Sequence, residues 1–288
     1  MAITDVTEAA AWDPRASFGR TVQERMAHRL MLNVPSRGNP KVEKLIERIN
    51  ADDEMYALWL AANVNAVERL QMTDHGPVHV KIVMNIAVKL LRVLTESGVE
   101  PNVVTNYGMG TDDAEVIVLL ASLLHDVGMS VHRKDHEEFS LFVAQPKIRE
   151  LLEGIYDRAT ATVIRSEILH AIIGHRSGGA PLTLEAGIVR VADALDMAKG
   201  RSRISMGIEG TMSIHSISAA AIEAVHIEHG VEKPLRIRVE MSNSAGIFQL
   251  DQLFREKLKG SGLEKHVEVE ALIEGEAEKR LIQTAYRL

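Results

Sequence analysis

The sequence predicts an α+β fold, an all-α core followed by a smaller C-terminal α+β module. Three observations carry this. Apolar residues recur at helical spacing over the first two thirds of the 288 residues, the period changes near Ile204, and the segments Leu235-Arg236-Ile237-Arg238-Val239-Glu240-Met241 and Val267-Glu268-Val269-Glu270-Ala271 alternate at period two. Divided at these changes, the chain reads as an N-terminal helical arm over 1–72, a helical core over 73–205 and an α+β module over 206–288.

The elements follow in order. Pro14, Pro35, Arg37, Gly38 and Pro40 interrupt a weakly periodic start, which predicts an irregular arm with one short helix near Thr21–Leu32. Two helices fit between Val42 and Met72, where Met55, Leu58, Trp59, Ala62, Val67 and Leu70 follow the cap candidates Asp52 and Asp53. A third begins at Gly76-Pro77, where proline suits the first turn, and stops at Gly98. Pro101 to Gly110 reads as a loop. Thr111-Asp112-Asp113 then caps a helix that stays almost wholly apolar up to His125-Asp126-Val127-Gly128, and such a helix is buried. Asp135 and Asp157 are cap candidates for later helices, and Glu185–Met197 places Ile188, Val189, Val191, Ala192 and Leu195 on one apolar side. A strand near Ala224–Glu228, the alternating strand at 235–241, a helix over Ile247–Leu258 and a last strand at 267–271 complete the module.

Composition narrows the function. A chain that is 46% apolar and 25% charged is that of a soluble globular protein. Its net charge of −7 argues against general nucleic-acid or membrane-surface binding, while leaving room for a local basic pocket that takes phosphate. The absence of cysteine excludes disulfides and thiolate metal sites, so any ion must be held by histidine and carboxylate. With no basic, apolar leader and no uncharged run long enough to span a bilayer, a cytoplasmic location is expected.

The chemistry centres on His125-Asp126, which ends the apolar run Val116 to Leu124. Burying an ionised carboxylate without a partner costs several kcal/mol, roughly what a metal or a strong ion pair must offset. His79 stands upstream on one helix and Asp193 downstream on another, so N and O ligands can converge from distant segments. Further histidines crowd the same region. His75 lies four residues before His79 but across Gly76-Pro77, which leaves it as plausible a cap as a neighbour; His170, five before His175, reads as a packed, hydrogen-bonded residue.

The order His79, His125-Asp126, Asp193 over 73–205 resembles the HD-domain superfamily of metal-dependent phosphohydrolases. Two further segments are similar to the family's: Asp135-His136-Glu137-Glu138-Phe139-Ser140, a helix start carrying another histidine, and His175-Arg176-Ser177-Gly178-Gly179-Ala180-Pro181, a histidine with a glycine-rich turn. The resemblance implies an all-α HD-type core in which His79, His125, Asp126 and Asp193 ligate a divalent ion. His136 and His175 join if two ions share Asp126. It implies Mn, Fe, Mg, Zn or Ni as the ion, one or two per chain, and Asp126, His136 and His175 as catalytic residues. The activity implied is hydrolysis of a phosphomonoester or phosphodiester, most plausibly of a small nucleotide, by metal-activated water. There are departures: Met129 stands where many members carry a phosphate-binding lysine, and Gly178-Gly179-Ala180-Pro181 lacks the tyrosine of the cyclic-dinucleotide branch. Arg133, Arg176, Lys199, Arg201 and Arg203 are therefore the candidate substrate-binding residues. The expected partner is a small phosphorylated molecule, with homo-oligomerisation compatible. The alternative is a nucleotide-binding sensor on the same scaffold, with little or no turnover and a C-terminal module used for regulation or dimerisation.

Overall fold

A computed structural model describes residues 20–176, 178–197 and 218–273. The arm helix is short: α1 covers Val22–Ala27, with Thr21 and Glu24 in a reciprocal capping box. Asn39 caps α2 (Pro40–Ala51), accepting from Lys41 N at 3.1 Å, and proline opens the helix. Asp52 caps α3 (Asp53–Asn63), accepting from Met55 N at 2.9 Å, and the helix runs on into a π-helical turn over Val64–Arg69. α4 spans Pro77–Glu96 and ends before Gly98, whose φ of +83° is the left-handed conformation that glycine adopts freely.

Two local expectations are corrected. The segment from Pro101 to Gly110 is not all loop, because α5 (Asn102–Tyr107) forms within it. Its N-terminal amides find their acceptor far away in sequence: Glu185 accepts from Asn102 N at 3.2 Å and Val103 N at 2.8 Å. Thr111 is the first residue of α6 (Thr111–Leu124) and not its cap; Asp113 instead reaches back to accept from Gly110 N at 3.0 Å.

Next come α7 (His136–Leu152), α8 (Arg158–Gly174) and α9 (Leu184–Leu195). Asp157 caps α8 and Thr183 caps α9, while Asp135 has φ +60° and makes no side-chain cap bond. Lys147 of α7 pairs with Asp52 at 2.9 Å, Glu54 at 2.5 Å and Glu150 at 2.9 Å, which ties α7 to the α2–α3 corner.

The C-terminal module holds β1 (Ile222–His229), β2 (Leu235–Met241), the short α10 (Arg255–Leu258) after a π-helical turn at Gln249–Phe254, and β3 (Val267–Ile273). The sheet order is β1-β2-β3. β1 and β2 are antiparallel with His229 opposite Leu235; β2 and β3 are parallel with Leu235 opposite Val267, joined by the helical crossover that a parallel pair needs. Inward residues of β2 alternate with half-exposed ones, as the period-two pattern requires.

One apolar core runs through all of this. α4 and α6 lie at its centre, and Leu45 and Trp59 of the arm join it from one side and Ile222, Ile237, Val239 and Val267 of the sheet from another. No helix among the described residues is long and apolar enough to cross a membrane.

Candidate metal centre

Helix ends assemble the site. His79 lies in the first turn of α4, where Asp74 Oδ1 accepts from His79 N at 3.0 Å and Gly76 N at 3.1 Å. Any larger residue at Gly76 would force a shift here, because a Cβ would stand 2.6 Å from Asn63 Cβ. His125 ends α6 and Asp126 follows it into a short 3-10 turn at Val127–Ser130. A helix terminating inside a core must find donors for its last carbonyls. Here Trp59 Nε1 donates to Leu123 O at 2.8 Å, Nδ1–H of His125 to Ser122 O at 2.8 Å, and Ser140 Oγ to His125 O at 2.6 Å. Gly128 lets α7 come close enough for that last bond: its amide donates to Ser140 Oγ at 2.8 Å, and a Cβ on it would sit 2.0 Å from His136 O.

The same packing brings His136, at the start of α7, and His175, at the end of α8, to one side of Asp126, with His79, His125 and Asp193 of α9 on the other. Asp126 Oδ2 is 3.3 Å from His79 Nε2 and 3.2 Å from His125 Nε2; Asp193 Oδ1 is 3.5 and 3.8 Å from the same two nitrogens. Asp126 Oδ1 is 3.2 Å from His136 Nε2 and 3.7 Å from His175 Nε2. His79, His125 and Asp126 form one group able to hold an ion, and Asp126, His136 and His175 a second. Asp126 is common to both, one oxygen on each side.

The protonation pattern is what gives this cluster meaning. Nδ1 of His79 faces Asp196 Oδ2 at 2.6 Å, that of His125 the Ser122 carbonyl, and that of His175 the Ile172 carbonyl at 2.5 Å. Each acceptor assigns the ring proton to Nδ1, which leaves Nε2 as a lone pair pointed into the centre. His79 Nε2 and His125 Nε2 then face each other at 3.1 Å with no hydrogen between them. For His136, Glu137 Oε2 at 3.0 Å and Arg133 O at 3.1 Å outnumber the Arg133 guanidinium at 2.9 Å as partners of Nδ1. Converging lone pairs and carboxylates, buried together, call for cations.

Without an ion, a proton on His136 takes part of the cation's place. Burial works against ionised Asp126, yet the surrounding imidazoles of His125, His136 and His79 hold its carboxyl well below the usual range. Burial likewise opposes ionised Asp193, and Lys257 followed by His125 and His79 brings its carboxyl well below normal. Burial favours neutral His136, but hydrogen bonds to Asp126 and Glu137 outweigh it and raise the imidazole to about 9. His175, buried and close to His125 and the Lys257 ammonium, is pushed down to about 3 and is neutral.

The HD-domain family model matches residues 78–198. An uncharacterised protein of Methanocaldococcus jannaschii is 45% identical over 215 residues, which covers 75% of this chain and 83% of that protein. The chain belongs to the HD-domain superfamily. HD domains are generally metal-dependent hydrolases, and this one carries buried His/Asp groups able to hold an ion.

Other candidate residues of this HD-domain protein surround the centre or lie away from it. Asp196, one turn beyond Asp193, orients His79. His75 Nδ1 donates to Thr73 O at 2.8 Å, outside the helix. His170 Nε2 accepts from Leu182 N at 3.0 Å and takes no part in the His/Asp groups. Arg133 is exposed beside His136; Arg176 is exposed and paired with Glu138 at 2.6 Å. Lys199, Arg201 and Arg203 lie outside the described residues. Lys257 was missed by sequence reasoning. It comes from α10, 64 residues from Asp193, and its Nζ lies 3.3 Å from Asp193 Oδ2.

These positions separate two histidines by experiment. His170→Ala is expected to cost about 1 kcal/mol of stability, the worth of one hydrogen bond, with ion binding retained. His175→Ala is expected to lower the ion-to-protein ratio in a folded protein, and elemental analysis beside a urea melt distinguishes the two outcomes.

Proposed function

We propose that this chain is a metal-dependent phosphohydrolase that cleaves a phosphomonoester or phosphodiester of a small cytoplasmic nucleotide. The observation that carries the reading is the convergence of four imidazole Nε2 atoms on the two oxygens of buried Asp126. His79, His125, Asp126 Oδ2 and Asp193 Oδ1 would hold one divalent ion, and Asp126 Oδ1, His136 and His175 a second. Bound divalent ions lower the pKa of water and neutralise charge on phosphoryl oxygens.

The chain's own residues do the rest. Asp196, the Ser122 carbonyl and the Ile172 carbonyl keep His79, His125 and His175 in the ligating tautomer. Glu137 orients His136. The exposed guanidinium of Arg133, next to His136, would anchor a substrate phosphate at the rim, and Arg176, paired with Glu138 and following His175, would be a second such anchor. No serine or cysteine nucleophile is needed.

A screen of phosphorylated metabolites with Mn2+ or Mg2+ tests this. Release of phosphate or nucleotide monophosphate that a chelator abolishes is expected; absence of turnover together with tight binding of an intact nucleotide would instead support the sensor reading. A second expectation concerns protons. His136, raised to about 9, is protonated near neutrality in the ion-free protein, so an ion at its Nε2 must displace that proton. Ion affinity should therefore rise with pH until about 9, and Mn2+ titration calorimetry near pH 7 in buffers of different ionisation enthalpy should report about one proton released from this residue. Binding heats independent of buffer would remove His136 from the ligand set.

A further inference from the structure

The C-terminal module reaches the metal centre at one point. Lys257 Nζ lies 3.3 Å from Asp193 Oδ2, the carboxylate oxygen turned away from His79 and His125, and donates to the His175 carbonyl at 2.5 Å. One ammonium group therefore links the ends of α8 and α9, the two ligand-bearing segments that lie farthest apart in sequence from α4. Asp193 is also more open than Asp126, with 17% of its side chain exposed against 4%. Among the described residues Lys257 is the lysine or arginine that forms an ion pair with it.

Lys257 is itself held in place. Arg190, on α9 one turn before Asp193 and 2% exposed, donates from Nε to Lys257 O at 2.8 Å and from NH2 to Glu256 O at 3.2 Å. Its NH1 donates to Arg176 O at 3.1 Å and also to Gly179 O, fixing the loop that follows His175. Gly187, earlier on α9, admits the Ser261 carbonyl to a spot where a Cβ would be 2.1 Å away. These contacts seat α10 and the following loop on the helix that carries Asp193. Met129, three residues after Asp126, is buried against Ala62, Ala66 and Val67 and brings no charge to the centre.

We propose that Lys257 is a positioning residue of the metal centre, delivered by the C-terminal module, which fixes Asp193 so that Oδ1 is presented to the ion shared with His79, His125 and Asp126. The inference rests on the metal reading above. It gives the C-terminal module a part in the site, since displacing α10 would release Asp193 and loosen the ion without any change in the helical core's own ligands. Partners that hold ligating groups in place are typically worth about 10–100-fold in ion affinity.

The test is Mn2+ affinity of the full chain, measured by titration calorimetry on ion-stripped protein, with circular dichroism and thermal midpoint recorded for each variant. Lys257→Met is expected to weaken Mn2+ binding about 10-fold or more. Lys257→Arg, which keeps the charge and a donor, is expected to recover most of that loss. Lys259→Met, an exposed lysine two residues on, is the control and should leave affinity unchanged. Unchanged or tighter Mn2+ binding in folded Lys257→Met overturns the positioning role while leaving the metal reading intact. An equal loss in Lys257→Arg and Lys257→Met, each accompanied by a lowered thermal midpoint, also overturns it, since packing rather than the charged contact would then be responsible. A wild-type chain that takes up no Mn2+ overturns both.

Discussion

Asp126→Ala is expected to leave a folded protein with little bound metal and no measurable turnover. Asp126 is 3% exposed, and its two oxygens face His79 and His125 on one side and His136 and His175 on the other, so a single truncation strips an oxygen from both groups. No other described carboxylate takes its place: Asp193 approaches only the first pair, and Asp196 is committed to His79 Nδ1. Loss of a supporting partner costs about 10–100-fold in affinity, and loss of a shared ligand should exceed that. The helical fold should persist, because Asp126 lies beyond the end of α6 and alanine keeps its backbone, including the carbonyl that accepts from Met129 N. Metal content by elemental analysis, together with circular dichroism, checks the claim, and normal metal content in a folded Asp126→Ala protein would sink the assignment.

Gly128→Ala is the second large effect, and it acts through the backbone. A Cβ at position 128 would stand 2.0 Å from His136 O, 2.4 Å from Ser140 N and 2.8 Å from Ser140 Oγ. Two of these are backbone atoms of α7, which cannot swing aside as a flexible side chain would. Relief requires moving the first turn of α7, and that breaks the Gly128 N to Ser140 Oγ bond and carries His136 away from Asp126. Overpacking of this kind costs about 1–3 kcal/mol, and the lost hydrogen bond adds about 1 kcal/mol. A urea midpoint lowered accordingly, with reduced ion stoichiometry, is the expected result. A variant with wild-type stability and full ion binding would show that α7 is not pinned at this glycine.

Much of this arrangement is legible in the residues because the determinants are local. The apolar stripe of α6 announces a buried helix, the proline at position 77 marks the start of α4, and the alternation of β2 and β3 is visible without any partner strand. That His79, His125, Asp126 and Asp193 act together is read from the resemblance of their order to the HD motif, not from any local period. What is not legible depends on contacts between distant segments. α5 is set by the Glu185 carboxylate 83 residues from Asn102, a cap that no window around Pro101 contains. The role of Gly128 comes from the close approach of α7, and that of Lys257 from the docking of α10 on α9, for which neither a motif nor a period gives notice. His170 and His175 differ only in where α8 ends, a boundary that spacing alone leaves open.

The central claim is that the buried His/Asp cluster exists to hold divalent ions. Its most direct test is elemental analysis of wild-type protein purified without a metal-affinity tag, followed by Mn2+ titration after stripping. About two ions per chain are expected, with proton release on binding, because the ligands divide into two groups about Asp126. Protein that emerges free of transition metals and binds no Mn2+, Mg2+ or Zn2+ at millimolar concentration while remaining folded would contradict it.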